Sequence, residues 1–235
     1  MRKVHALTVG LGLVASTLPL AVATVAAAPE NRAGPGVCAR VPGCHIVAKA
    51  DVSGDGSKDV IGIASRGASG SEGRAVIVRV KTAPDKIVST RWQSPYWHGP
   101  FFNGLTPLDG RAGKEIVVGQ TQGAHAQLYR SLTWRHGDVV TLDAPGGSPG
   151  WLVDAAAMVS YGWQRRAIDP VGTVRRRVAD RYDDPDMERF KGRITTYRWT
   201  THGWIVVETR SVYPLSDRRA YSWAGFHIPG LDRGF

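Results

Sequence analysis

The chain has 235 residues, a net charge of +10, two cysteines, and 43 % hydrophobic against 21 % charged residues. That balance excludes a disordered polyelectrolyte and a cysteine-stapled miniprotein. It leaves a globular chain long enough to bury its own core. Arginine outnumbers lysine 23 to 7, the bias of a GC-rich coding sequence, and net charge alone suggests at most an attraction to anionic polymers.

The chain opens with Met1-Arg2-Lys3, followed by an uncharged, mostly apolar stretch from Ala6 to Ala28 with Pro19 inside it. Small residues at Ala21-Val22-Ala23 and Val25-Ala26-Ala27 fit a signal-peptidase site. Residues 1–28 are therefore expected to be a secretory signal peptide and the mature protein to be extracellular. No later segment is apolar enough to span a bilayer. Residues 29–36, rich in Gly and Pro, read as a flexible leader, and 37–235 as one β-repeat domain. In an oxidising compartment Cys38 and Cys44 are expected to pair. Zinc beside His45 would need further ligands that the neighbourhood lacks.

Short β-prone runs follow, separated by Gly, Pro, Asp and Ser: His45–Ala50, Val60–Ser65, Arg74–Val80, Ile87–Trp92, Ile116–Thr121, Gln127–Trp134, Val139–Leu142, Gly172–Val178, Arg193–Thr200 and Trp204–Val212. Several alternate with period two, and the turn Thr201-His202-Gly203 marks a hairpin. Trp151–Tyr161 is apolar almost throughout and fits a buried strand or a buried helix equally well. The charged, Pro-broken stretch 180–190 reads as a loop. The fold class expected is all-β, with short antiparallel strands.

Asp51-Val52-Ser53-Gly54-Asp55-Gly56-Ser57-Lys58-Asp59 aligns without gaps on Pro107-Leu108-Asp109-Gly110-Arg111-Ala112-Gly113-Lys114-Glu115, 56 residues later. Each loop has Gly at position four, Lys at eight and an acid at nine, and runs into a strand. A repeat of this length suits a four-stranded propeller blade. In the first loop Asp51, Ser53, Asp55 and Asp59 alternate as oxygen donors and the Ser57 carbonyl can join them, the donor set of a weak calcium site. Position twelve is Gly62 rather than a bidentate acid, which excludes an EF-hand.

A nine-residue Asp loop leading into a strand resembles the FG-GAP/VCBS repeat, the calcium-loop unit of integrin-like propellers. The resemblance covers roughly residues 44–65 and 101–121. It implies propeller-like repeat units, here too few for a full ring and so an incomplete or small propeller, with structural Ca²⁺ held by Asp51, Ser53, Asp55, Ser57 and Asp59. The second loop departs from the pattern at Pro107 and Arg111. Arg111 is expected to neutralise Asp109 and Glu115 in place of a metal.

Other constellations carry less. Gly146-Gly147-Ser148-Pro149-Gly150 has the letters of a nucleophile elbow, but Pro149 lacks the N–H that such an elbow needs after its serine. Trp92, Tyr96, Trp97, Phe101 and Phe102 would form a sugar- or peptide-stacking platform if exposed, and core if buried. The function expected is that of a secreted, calcium-stabilised, non-enzymatic binding or surface module of unassigned ligand (anionic polymer, glycan or protein). One alternative is a hydrolase whose cleft gathers His98, His125 or Asp154. Another is a cationic binder of anionic wall polymers, with Arg165, Arg166 and Arg175–Arg177 on one surface.

Overall fold

β-branched residues spaced two apart set the central strands. In β3 (Arg74–Lys81) the sequence Arg-Ala-Val-Ile-Val-Arg-Val-Lys buries Val76, Val78 and Val80 completely and leaves the residues between them half-covered, the period of a pleated strand with one face on a core. The computed structural model describes residues 36–234 apart from 69, 71, 83–85 and 183. The expected signal peptide and all but the last residue of the expected leader lie outside the described residues.

β3 belongs to a four-stranded antiparallel meander with β1 (His45–Ala50), β2 (Asp59–Arg66) and β4 (Ile87–Ser94), in the order β1-β2-β3-β4. The cysteines are joined, with 5.3 Å between their Cα atoms. Their bridge lies against the middle of β2. A methyl group on Gly62 would stand 2.9 and 3.0 Å from the two sulfurs, so the side-chain-free position is where the disulfide seats.

The second sheet has ten strands. β5 (Phe102–Thr106), β6 (Glu115–Gln122), β7 (Ala126–Arg135) and β8 (Asp138–Leu142) again form an antiparallel meander. β2 and β6 are both eight residues long and begin 56 residues apart. β8 covers only residues 131–135 of β7; residues 126–129 pair with β9 (Trp151–Ala155). The sheet continues through β10 (Val159–Gln164), β11 (Thr173–Asp180), β12 (Phe190–Thr200) and β13 (Gly203–Leu215), its outermost strand. A short helix, α1 (Asp217–Tyr221), leads to β14 (Gly225–His227), which pairs with β10 in parallel. The protein is thus all-β with antiparallel sheets, apart from that one parallel pair among the described residues.

The ambiguous stretch Trp151–Tyr161 resolves into the β9–β10 hairpin, whose Trp151 and Val153 are fully buried. The stretch after β11 is a loop of turns and bends, as its charge and Pro predict. One cluster forms the main core and draws on both sheets, from Val52, Ile61 and Val78 to Ile116, Leu132, Trp151 and Trp163. A smaller cluster of Phe190, Ile194, Leu215, Ala220 and Trp223 sits under α1.

The aromatic group, expected as a platform if exposed and as core if buried, divides between the two. Trp97 and Phe101 are only 3 % and 6 % exposed and belong to the main core. Trp97 stacks on Phe101 and meets Tyr129 edge-on. Trp92 and Phe102 are half-buried, and of the five only Tyr96 is largely exposed. The cause lies in β6: Gly119 has no side chain, and the Trp97 indole occupies the space where one would be. Gly119→Ala is expected to force Trp97 out of its place and cost about 1–3 kcal/mol by overpacking. Urea denaturation would check this, and a variant of unchanged midpoint would show that Trp97 is not held there.

Candidate functional site

The two Asp/Gly loops share one piece of geometry. Asp59, first residue of β2 and fully buried, accepts hydrogen bonds on Oδ2 from the N–H groups of Val52 (2.8 Å) and Ser53 (2.7 Å). Glu115, first residue of β6 and 2 % exposed, accepts one on Oε2 from the N–H of Leu108 (2.6 Å). In both loops the acid at position nine ties down the backbone of position two, and the apolar side chain at position two, Val52 or Leu108, is driven into the core. Gly54 and Gly110, at position four, adopt φ of +81° and +78°, a region open to glycine at no steric cost.

The loops also pack on each other. The Lys114 N–H donates to the Asp51 carbonyl (3.0 Å), a Cβ on Gly54 would lie 2.8 Å from the Ala112 oxygen, and one on Gly113 would strike the Val52 carbonyl. The next carbonyl in this series, that of Pro107, is capped by the guanidinium of Arg165, which also donates to Thr106 Oγ1 at 2.8 Å. Arg165 is thereby 8 % exposed.

In the first loop Asp51 accepts from Gly54 N–H (2.6 Å) on one oxygen and from Gly56 N–H (3.0 Å) on the other, while Asp55 accepts from Ser57 N–H (2.7 Å). Ser53 Oγ reaches Asp59 Oδ1 at 3.4 Å. None of the ion pairs among the described residues involves Asp51, Asp55 or Asp59. In this arrangement no three His, Cys, Asp or Glu side chains among the described residues are gathered closely enough to share an ion.

Charge in the second loop is handled differently from expectation. Arg111 is exposed and offers Asp109 only its backbone N–H (2.9 Å). The guanidinium on Asp109 comes from Arg135, the last residue of β7. No local pattern announces this partner, since 26 residues separate the pair. Thr133 Oγ1 donates to the other oxygen of Glu115 at 2.9 Å. Burial, followed by the negative charge of Asp109, raises the Glu115 carboxyl from 4.5 to about 7, against the opposing pull of the Leu108 and Thr133 hydrogen bonds and of Arg135.

The remaining site residues do not converge. His125 Nδ1 lies 2.9 Å from Asp154 Oδ1, which also accepts from the Ala156 N–H. His98 lines a separate cavity of about 290 Å³ with Trp97, Asn103 and Tyr129, in which neither His125 nor Asp154 takes part.

The arginines expected on one cationic surface are divided. Arg166 and Arg175 both bind Asp169. Burial works to raise that carboxyl, but the hydrogen bonds from Arg175 and Arg166 outweigh it and hold it down to about 2. Arg176 lies over Tyr197, and Arg177, 7 % exposed, lies over Trp223. Unanticipated from sequence is a cleft of about 540 Å³ between β8, the 143–147 turn and the β12–β13 hairpin, walled by Trp199 and Trp204. Trp204 is fixed there by its Nε1–H donating to the Asp143 carbonyl at 2.9 Å.

The chain matches no family model, no curated protein and no solved structure.

Glu115 makes stability pH-dependent in a definite direction. A carboxyl with a folded value of about 7 and an ordinary value of 4.5 binds its proton more tightly in the folded state. Its contribution is whole below about 4.5 and is lost as pH rises through 7. At about 1.4 kcal/mol per pH unit of displacement, the loss is roughly 3 kcal/mol. Wild type is expected to lose that much more than Glu115→Gln, which keeps an acceptor for Leu108, when unfolding is followed from pH 4.5 to 8. Parallel curves for the two proteins would contradict the assignment.

Proposed function

We propose that this is an exported, non-enzymatic binding or surface-associated protein built from propeller-like repeat units of the FG-GAP/VCBS kind, with calcium bracing the loop at 51–59. One observation carries the reading. The acid at position nine holds the N–H of position two in both loops, at the head of equivalent strands in two successive four-stranded meanders. The Cys38–Cys44 bridge accords with an oxidising compartment. Among the described residues no helix is long and apolar enough to cross a membrane.

The case for calcium in one loop only rests on charge. The second loop brings its own cation, Arg135, and Glu115 is held protonated over part of the pH range. In the first loop three carboxylates meet only N–H and hydroxyl donors of the loop itself. Each carboxylate oxygen has a second lone pair after accepting one such bond. Asp51, Ser53, Asp55, the Ser57 carbonyl and Asp59 would hold the ion. Calcium there would supply fixed positive charge and no chemistry.

With a dissociation constant of about 10⁻⁴–10⁻³ M, typical of extracellular modules, about 10 mM Ca²⁺ is expected to add roughly 1.4–2.7 kcal/mol to unfolding stability. Thermal melts in Ca²⁺ and in chelator would show the difference, and calorimetric titration would show uptake. Asp55→Ala should abolish both while folding normally, because Asp55 bonds only Ser57 N–H. Absence of heat together with identical melts would remove calcium from the proposal.

A further inference from the structure

Among the described residues β13 ends the ten-stranded sheet, and no described strand neighbours its outer backbone edge. It is also the longest strand, at 13 residues. Its seven residues from Ile205 to Ser211 are all exposed, on both faces of the sheet. Ile205, Val206, Val207 and Tyr213 are 41 %, 59 %, 53 % and 56 % exposed. A long edge strand with bare apolar side chains is a template for pairing with another strand.

We propose that β13 pairs antiparallel with β13 of a second copy of this chain, forming a two-fold dimer in which the two ten-stranded sheets become one. The register follows from geometry and charge. Directly opposed residues in an antiparallel ladder are alike: both exchange hydrogen bonds or neither does. A residue therefore cannot oppose its own sequence neighbour, and the two-fold axis must pass through a residue. An axis at Glu208 sets Glu against Glu, and one at Arg210 sets Arg against Arg. An axis at Thr209 sets Glu208 opposite Arg210 twice and avoids both repulsions. Opposite charges directly across a ladder stabilise it and like charges oppose it.

In this register the ladder is centred on Glu208–Arg210, and the exposed apolar residues Ile205, Val206 and Tyr213 lie on either side of it. Its three central positions fall within Glu208–Val212, a run in regular register with β12. Val207, the extra residue of the bulge between Val206 and Glu208, and Pro214 flank that run and confine the ladder, as bulges and prolines do on strand edges. The pairing is isologous, the self-complementary form in which most dimers close.

Charge reversal tests this on the purified chain. Sedimentation equilibrium at concentrations up to about 100 μM, where even weak specific interfaces associate, should give twice the protomer mass. Glu208→Arg and Arg210→Glu should each weaken the dimer at least ~10-fold, because each sets like charges face to face. The double variant Glu208→Arg/Arg210→Glu should restore it. Both positions are exposed, and far-UV circular dichroism would confirm that each variant is folded. A monomer throughout the range, dimers indifferent to single reversal, or a double variant as weak as the singles would overturn the proposal.

Discussion

A buried carboxylate holding backbone N–H groups is the interaction on which the rest of this structure turns. Asp59 and Glu115 stand at the first positions of β2 and β6, out of contact with water. A carboxylate in that position is tolerable only if its lone pairs are met, and loop N–H groups meet them. Once they do, the loop cannot lift away from the strand, and Val52 or Leu108 is fixed in the core beneath it. One hydrogen bond thus sets the turn, the start of the strand and a core contact together. Such a bond contributes about 0.5–1.5 kcal/mol when made to a neutral carboxyl and about 1.5–3 kcal/mol when made to a charged one.

The extra methylene of Glu115 relative to Asp59 changes what surrounds the charge. Glu115 reaches the hydroxyl of Thr133 on the neighbouring β7 and is buried deeply enough to favour its neutral form. Asp109 beside it is met by Arg135 from the same strand. The shorter Asp59 stays with the loop's own donors. The two loops therefore reach electrostatic balance by different routes: protonation and a guanidinium in one, and in the other only local dipoles, to which calcium adds on our proposal. Because the loops press together at Gly54 and Gly113, the balance of one bears on the position of the other.

Much of the fold was legible in sequence where side chains alternate between core and solvent. The run at 74–80 reads as a strand because its apolar residues fall two apart, and those at 45–50 and 193–200 because β-prone residues lie between turns; they are strands β3, β1 and β12. β5 was not legible: Phe102-Asn103-Gly104-Leu105-Thr106 holds Gly104 at φ +150°, where any side chain would strike the Gly230 carbonyl. That glycine is set by a contact more than a hundred residues away. β9 and β10 bury or half-bury every residue except Ala155, so their sequence is mostly apolar and loses its period. The acids of the candidate site were legible from spacing, whereas the partner of Asp109 was not. Arg111 is adjacent in sequence but points to solvent, and Arg135 arrives through the β6–β7 pairing. Gly62, which ruled out an EF-hand, owes its identity to the disulfide lying on it.

The arginine content, which invites a reading of anionic affinity, has a structural use throughout the sheets. Arg165 caps the Pro107 carbonyl, Arg79 donates to the Ala39 carbonyl and Arg177 to that of Trp223. Five guanidiniums, of Arg74, Arg130, Arg176, Arg177 and Arg181, lie over aromatic rings. A planar, delocalised cation with several fixed donors can stack on a ring and bond a carbonyl at once, whereas a lysine ammonium is a strongly hydrated point charge that resists both. Burial even lowers Arg177, helped by the charge of Arg233, to about 10 without removing its proton at neutral pH. Positive charge spent in this way is turned inward. At Glu208 and Arg210, by contrast, opposite charges stand exposed on an open sheet edge, where charge can select a partner.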